Sequence, residues 1–147
     1  MRTPLVALLL TMTIASTMPA QTTGDRHAAM SAVDTFITAN ERGDLSLLMS
    51  TFADDATVFM PAEPASRLAG KTAIQDAFAK LFAMRNGPIV IRPVDVTVQS
   101  LGDVAIVTAH LVRPPTAPGM GRRTFVLRRD GGRWLIVHLH ASNMPRP

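Results

Sequence analysis

The fold is decided by the stretch Thr124-Phe-Val-Leu-Arg-Arg-Asp-Gly-Gly-Arg-Trp-Leu-Ile-Val-His-Leu-His-Ala-Ser-Asn-Met-Pro145. Two runs rich in apolar and β-branched residues flank Asp130-Gly131-Gly132. Asp and Gly supply the positive φ angles that a tight hairpin needs. The stretch therefore predicts two long antiparallel strands joined by a short turn.

Side chains alternate along the second of these strands, so its residues divide into two sets. One set is wholly aliphatic and comprises Leu135, Val137, Leu139 and Ala141. The other comprises Trp134, Ile136, His138 and His140. Because an aliphatic face is the better candidate for a core, we expect the first set to pack inside the domain. The second set would then face outward, toward another subunit or a partly wet surface, and our hypothesis is a homodimer through this face.

The chain before this hairpin predicts three helices and further strands. Met30, Val33, Phe36 and Ile37 share one face of a helix that ends at Gly43, and Asp44 can cap a short second helix. Residues 57–60 form a short strand, and a four-residue apolar repeat from Lys71 predicts the third helix. Long strands follow at about residues 89–101 and 104–113. Helices followed by an antiparallel sheet are typical of the α+β class.

The N-terminus has the layout of a secretory signal peptide. A charged start at Met1-Arg2 precedes an apolar run over residues 5–10 and a small, polar exit ending at Ala20. The apolar run is too short to span a bilayer, so no permanent membrane anchor is expected. We predict a signal peptide at residues 1–20, cleaved near Ala20, a linker at 21–25 and one domain at 26–145, exported to the periplasm or the exterior.

Composition limits the function classes. The chain has 147 residues, of which 47% are apolar, and no cysteine, which excludes disulfides and thiol catalysis. The formal net charge is +4, and six arginines lie in or near the closing hairpin: Arg113, Arg122, Arg123, Arg128, Arg129 and Arg133. Without a basic helix or many aromatics to stack bases, we interpret these arginines as a solvated sheet rim and expect no nucleic-acid partner.

The order of several short motifs resembles one known superfamily. The motifs are Gly43-Asp44-Leu45, Phe52-Ala53-Asp54-Asp55-Ala56-Thr57-Val58, Gly70-Lys71-Thr72-Ala73-Ile74 and Arg129-Asp130-Gly131-Gly132-Arg133-Trp134. Their order resembles the SnoaL-like and nuclear-transport-factor-2-like superfamily over residues 26–145. The ending, with His138, His140 and Ser142, looks most like bacterial relatives of the calcium/calmodulin-dependent kinase association domain. The resemblance implies a cone, in which a curved antiparallel sheet wraps around three helices and encloses a pocket.

The resemblance disfavours one reaction of the superfamily. In its steroid isomerases a tyrosine, a basic aspartate and an assisting acid carry the mechanism. In this chain those positions fall on Phe36, Met60 and Thr124, and there is no tyrosine anywhere. Since phenyl and thioether groups exchange no protons, that mechanism is disfavoured, and whether the protein is an enzyme stays open.

His110 is the remaining candidate for acid–base chemistry. By the resemblance and by strand alternation, Ile106, Thr108, His110 and Val112 are expected to face the pocket. Titration near neutral pH suits His110 to proton transfer, and Thr124 could orient a substrate. The alternative is that His110 is a hydrogen-bonded core residue without a functional role.

Other candidate sites are weaker. His138 and His140 share a strand face, but no third ligand lies in the strand, so no metal site is predicted and an interface role is favoured. Asp54 and Asp55 are adjacent and point apart, so we expect a structural role at a turn. No cofactor is expected.

The sequence therefore predicts an exported cone-fold protein that binds a small apolar molecule, with cofactor-free chemistry of the isomerase, cyclase or dehydratase kind as an option. The predicted pocket is lined by Phe36, Met60, Phe78, His110, Thr124 and Leu139. The alternative is a non-catalytic homodimer or accessory module that acts through its sheet face.

Overall fold

The structure is a computed structural model that describes residues 23–61, 67–114 and 117–144. The predicted signal peptide at residues 1–20 lies outside the described residues. Helix α1 spans Thr23–Arg42, α2 spans Leu45–Ser50 and α3 spans Lys71–Ala83. Helix α1 begins at Thr23, so residues 23–25 of the predicted linker are helical.

Local sequence explains the helix boundaries. Gly43 follows α1 with a φ of 71°, a conformation that glycine adopts at little cost. Asp44 caps α2, since its Oδ1 accepts a hydrogen bond of 2.9 Å from the amide of Leu47. The short second helix predicted directly after Gly43 is therefore present.

The strands are β1 (Phe52–Phe59), β2 (Arg67–Ala69), β3 (Arg92–Leu101), β4 (Val104–Arg113), β5 (Ala117–Asp130) and β6 (Arg133–Asn143). They form one curved sheet in the order β2-β1-β6-β5-β4-β3. All neighbours pair antiparallel except β1 and β6, which pair parallel. The α+β prediction is confirmed, and the parallel pair makes the sheet mixed rather than purely antiparallel.

The closing hairpin is the longest pairing in the sheet. Asp130 pairs with Arg133, and the two residues between them, Gly131 and Gly132, have φ values of 54° and 81°. Two successive positive φ angles match the right-handed twist of the flanking strands. The Gly-Gly pair therefore fixes the register of the hairpin.

One face of the sheet packs against the helices, and we call it the inner face. Three aromatic rings meet there: Phe36 of α1 lies 5.8 Å from Phe52 and 5.3 Å from Phe125, between ring centroids. Such edge-to-face pairs add to the apolar area they bury. We call the opposite sheet surface the outer face.

The predicted division of β6 into two faces is wrong in its first half. Val126 pairs with His138 and Leu127 pairs with Ile136, so Val137 is an extra, bulged residue. A bulge shifts the alternation by one residue. As a result Trp134 and Ile136, 7% and 0% exposed, belong to the core with Leu139, while His138 and His140 stay on the outer face.

The predicted faces of β4 are inverted. Its inner face carries the small apolar set Ala105, Val107, Ala109 and Leu111, all buried in the core. Ile106, Thr108, His110 and Val112 therefore lie on the outer face. The alanines matter because they leave room for α1 to approach the strand.

Candidate functional site

A cavity of about 390 Å³ opens between the helices and the inner face. It lies at the end of the cone where β1, β4 and β6 finish and β5 begins. Its volume is within the range of small-molecule sites. Its apolar wall is formed by Phe36, Met60, Pro61, Phe78, Leu81, Ile91, Leu111, Leu139, Ala141 and Met144.

Four of the predicted pocket residues line this cavity: Phe36, Met60, Phe78 and Leu139. The predictions for His110 and Thr124 are wrong, because both lie on outer-face positions of their strands. His110 pairs with Val94 and Arg122 across the sheet, and Thr124 pairs with Thr108 and His140. The cavity side of β4 is formed by Leu111 and Arg113 instead.

His110 makes an ion-pair contact on the outer face. Its Nδ1 lies 3.2 Å from Oδ2 of Asp95, and 29% of its side chain is exposed. Asp95 has a φ of 53° at the irregularity where the β3–β4 register shifts. His110 is thus part of a partly exposed contact near the sheet edge and has no route to the cavity.

The polar part of the cavity wall was missed by the sequence predictions. It consists of Asn40, Arg85, Arg113, Arg123 and Asn143. Arg113 and Arg123 were predicted to lie on a solvated rim, and Arg85 was not among the predicted site residues. The signal available in the sequence was the alternation of β5: Arg123 falls in phase with Phe125 and Leu127, both core residues.

Arg123 lies across the backbone of its own strand. Its Nη1 donates hydrogen bonds to the carbonyls of Arg122 at 2.7 Å and Ser142 at 3.1 Å. The guanidinium passes over Gly121, where a Cβ would lie only 2.6 Å from Nη1. Gly121 is therefore required for this placement. Burial lowers the pKa of Arg123, and the charge of Arg113 lowers it further.

Arg85 is held from below by α1 and α3. Its Nη1 donates to the carbonyl of Asn40 at 2.6 Å, and its Nη2 donates to Oδ1 of Asn40 at 2.7 Å. Its guanidinium also lies 4.7 Å from the centre of the Phe82 ring, a cation–π distance. Burial lowers the pKa of Arg85, with a further contribution from Arg113.

Several aspartates form ion pairs elsewhere in the described part of the molecule. Asp54 pairs with Lys71, Asp55 with Arg128, and Asp25 and Asp103 with Arg129. The turn predicted at Asp54 and Asp55 is wrong, because both residues lie within β1, where each forms an ion pair. Within the described residues, no carboxylate forms an ion pair with Arg85, Arg113 or Arg123.

His138 and His140 form an outer-face cluster with β1. Nδ1 of His138 lies 2.8 Å from Oγ1 of Thr57, and the ring of Phe59 lies 5.8 Å from both imidazoles, between centroids. Burial lowers the pKa of His138, and His140 and Arg67 lower it further. In the described part of the chain, no group of three or more potential metal ligands lies together.

None of the helices in the described ranges is long and apolar enough to cross a membrane.

Solved structures similar to this chain share its architecture. A nuclear-transport-factor-2-like protein of unknown function from Pseudomonas putida is 25% identical, with a TM-score of 0.76 over 82% of this chain and 87% of that chain. A candidate dehydratase of the same family from Streptomyces avermitilis is 26% identical, with a TM-score of 0.71 over 83% and 97%.

A third solved structure supports the resemblance to kinase association domains. It is described as a candidate calcium/calmodulin-dependent protein kinase type II association domain from Thiobacillus denitrificans. It is 27% identical, with a TM-score of 0.62 over 79% of this chain and 94% of that chain. No functionally curated protein matches the sequence significantly. The SnoaL-like domain model matches residues 29–147, and the chain therefore belongs to the SnoaL-like family.

Proposed function

We propose that this protein binds a small molecule that has an apolar body and an anionic group such as a carboxylate. The observation that carries the proposal is the convergence of Arg85, Arg113 and Arg123 on a cavity whose remaining wall is mostly apolar. Binding, rather than the predicted acid–base chemistry, is the function that these residues support.

The apolar half of the ligand follows from the cavity wall. Phe36, Phe78 and Leu139 are almost fully buried, and Met60 and Leu111 border the same space. Burying apolar area stabilises a complex by about 25 cal/mol per Å² before the costs of association are subtracted. Water in such a cavity is readily displaced by an aliphatic or aromatic group.

The anionic half follows from electrostatics. Arg123 and Arg85 lose hydration through burial, and each is near enough to Arg113 for its pKa to be lowered. A guanidinium stays protonated in proteins, so the cavity carries positive charge at neutral pH. An anion would relieve the repulsion and form charge-assisted, bidentate hydrogen bonds.

The described residues of the cavity wall offer no group suited to proton transfer. Among the described residues that line it, there is no His, Asp, Glu, Lys or Tyr. General acid–base catalysis needs such a group within hydrogen-bond reach of the reacting atom. The dehydratase description of the similar Streptomyces avermitilis protein therefore adds no mechanism for this chain, and we propose no cofactor.

Calorimetric titration with 3-phenylpropionate and its neutral analogue 3-phenylpropanamide tests the proposal. We expect the wild type to bind the carboxylate at least about tenfold more tightly, since one charge-assisted hydrogen bond contributes about 1.5–3 kcal/mol. Arg123→Gln should remove most of this preference. Arg122→Gln is the matched control, because Arg122 is exposed on the outer face and the charge change is identical. Equal affinities for the two probes in the wild type would refute the proposal.

We also propose that the homodimer predicted from the sequence forms through the outer face, with a different set of residues. The outer face carries the half-buried apolar residues Phe59, Ile106 and Val126 beside His138, and the helices pack only on the inner face. Such a surface suits a symmetric contact with a second copy. Val126→Glu should yield monomers in sedimentation velocity, with Gln75→Glu on the exposed surface of α3 as the control. A wild type that is monomeric at micromolar concentration would exclude the dimer.

Export is likewise proposed on the strength of residues 1–20 alone. The mature chain should begin near Gln21. N-terminal sequencing that finds Met1 on cytosolic protein would exclude it.

A further inference from the structure

We propose that Asn40 is a positioning residue that makes the cavity selective for carboxylates, because it orients Arg85 without neutralising it. The inference rests on the proposed function. Asn40 is placed at the end of α1 and borders the cavity itself. It gives Arg85 two acceptors, its carbonyl at 2.6 Å and its side-chain Oδ1 at 2.7 Å.

The two acceptors fix the plane of the guanidinium. Each accepts from a different terminal nitrogen of Arg85, so the group can neither rotate about its long axis nor swing out to solvent without breaking both hydrogen bonds. The Phe82 ring supports one surface of the group at 4.7 Å. Each terminal nitrogen carries a second N–H, and Nε carries one more, so donors remain for a ligand. A guanidinium held in place pays less entropy when it binds an anion.

The neutrality of Asn40 is the specific feature. An aspartate is the same size and would accept the same two hydrogen bonds, but it would form an ion pair and compensate the charge of Arg85. The neighbouring Glu41 is engaged elsewhere, since its Oε1 accepts a hydrogen bond of 2.6 Å from the amide of Ile91. Its carbonyl accepts from the amide of Ile89 at 3.0 Å. At the end of α1 the neutral amide of Asn40 therefore orients Arg85, whereas the carboxylate of Glu41 accepts a hydrogen bond from a backbone amide.

Two substitutions of Asn40 separate the effect of orienting Arg85 from the effect of its charge. Asn40→Ala should weaken the orientation, because it removes the Oδ1 acceptor and keeps the backbone carbonyl, and it should leave the charge of Arg85 in place. Asn40→Asp should keep orientation and cancel the charge. A residue with only a structural role would weaken all ligands equally in both variants, whereas a positioning residue changes the preference between an anion and its neutral isostere.

Calorimetric titration of the full mature chain with 3-phenylpropionate and 3-phenylpropanamide tests the inference. We expect Asn40→Asp to reduce the carboxylate-to-amide affinity ratio by at least about tenfold, while affinity for the amide stays within about twofold. Asn40→Ala should reduce the ratio by about threefold to tenfold. Gln99→Glu adds the same charge on the exposed part of β3 and should leave the ratio unchanged.

The outcomes separate the inference from the proposed function. If the wild type prefers the carboxylate and Asn40→Asp keeps that preference, the inference is refuted and the proposed function stands. If Asn40→Asp and Asn40→Ala weaken both probes by the same factor, Asn40 is structural only and the inference is again refuted. If the wild type shows no preference, the proposed function fails, and this inference fails with it.

Discussion

Gly121→Ala should weaken the proposed anion site, because the added methyl group would displace the guanidinium of Arg123, while the fold is retained. The new Cβ would lie 2.6 Å from Nη1 of Arg123 and 3.1 Å from its Cζ, whereas ordinary contacts begin at 3.4 Å. Nη1 therefore has to retreat by about 0.8 Å. The atoms in the way belong to the flexible end of a side chain, so Arg123 moves and the backbone does not.

The size of the effect follows from the hydrogen bonds of Arg123. The bond from Nη1 to the carbonyl of Ser142 is already 3.1 Å long, so it is the first to break. Losing a hydrogen bond to a charged group costs about 1.5–3 kcal/mol, and Gly→Ala at a compatible backbone returns about 0.4–1 kcal/mol through the unfolded state. The free energy of unfolding should fall by about 1–2 kcal/mol.

Ligand binding should fall by more than stability does. A displaced Arg123 no longer meets the carboxylate, which corresponds to a loss of about 10- to 150-fold in affinity for 3-phenylpropionate. Affinity for the neutral amide should change by less than about threefold, because the apolar wall is intact. Urea unfolding and calorimetric titration measure the two quantities.

A double-mutant cycle makes the reasoning refutable. In an Arg123→Gln background the side chain is shorter and the clash is absent, so adding Gly121→Ala should cause no further loss of carboxylate affinity. If Gly121→Ala lowers affinity equally in both backgrounds, or leaves it unchanged in the wild type, Arg123 is not the group that Gly121 accommodates for binding.

Three further predictions concern His110 and Trp134, whose faces differ from those predicted, and His138, which lies on the outer face as predicted. His110→Phe should leave carboxylate affinity and its pH dependence unchanged and lower stability by no more than about 1 kcal/mol, because its contact with Asp95 is partly exposed; calorimetric titration and thermal melting check this. Trp134→Glu should destabilise the monomer by at least about 3 kcal/mol in urea unfolding rather than merely dissociate a dimer, since a charge would enter the core. Burial lowers the pKa of His138 in the folded protein, so the unfolded chain binds more protons than the folded one as pH falls through about 6.5. The free energy of unfolding should therefore decrease as pH falls below about 7. His138→Gln should flatten the melting-temperature profile between about pH 7 and 5.

Each of these predictions has a distinct contrary result. If His110→Phe weakened carboxylate binding about tenfold, His110 would have to contribute to the binding site, and the prediction would be wrong. A folded, monomeric Trp134→Glu protein would show that the side chain faces outward after all. If the melting-temperature profile of His138→Gln were the same as that of the wild type and of the exposed control His27→Gln, His138 would not contribute to the pH dependence of stability.

Local sequence determined the elements of this protein and the apolar wall of its site. Gly43 and Asp44 mark a helix end and a cap through their own backbone and side-chain preferences, and Gly131-Gly132 sets a hairpin that needs no distant partner. The four-residue apolar repeat in α3 brought Phe78 toward the core because helix geometry fixes which residues share a face. These features depend on residues within a few positions of one another.

Only the tertiary structure decided which way the strands face. The bulge at Val137 exists because β6 pairs with β5, and one extra residue reverses the alternation on which the face assignment of Trp134 and Ile136 depended. The wholly apolar set of β4 by itself predicts the inner face correctly, whereas the choice of His110 as a pocket residue placed the opposite set inside. The alternation of β5 indicates that Arg123 faces inward, but its meeting with Arg85 and Arg113 could not be predicted, because the three residues come from separate segments. Their long side chains meet only when the curved sheet closes around the helices.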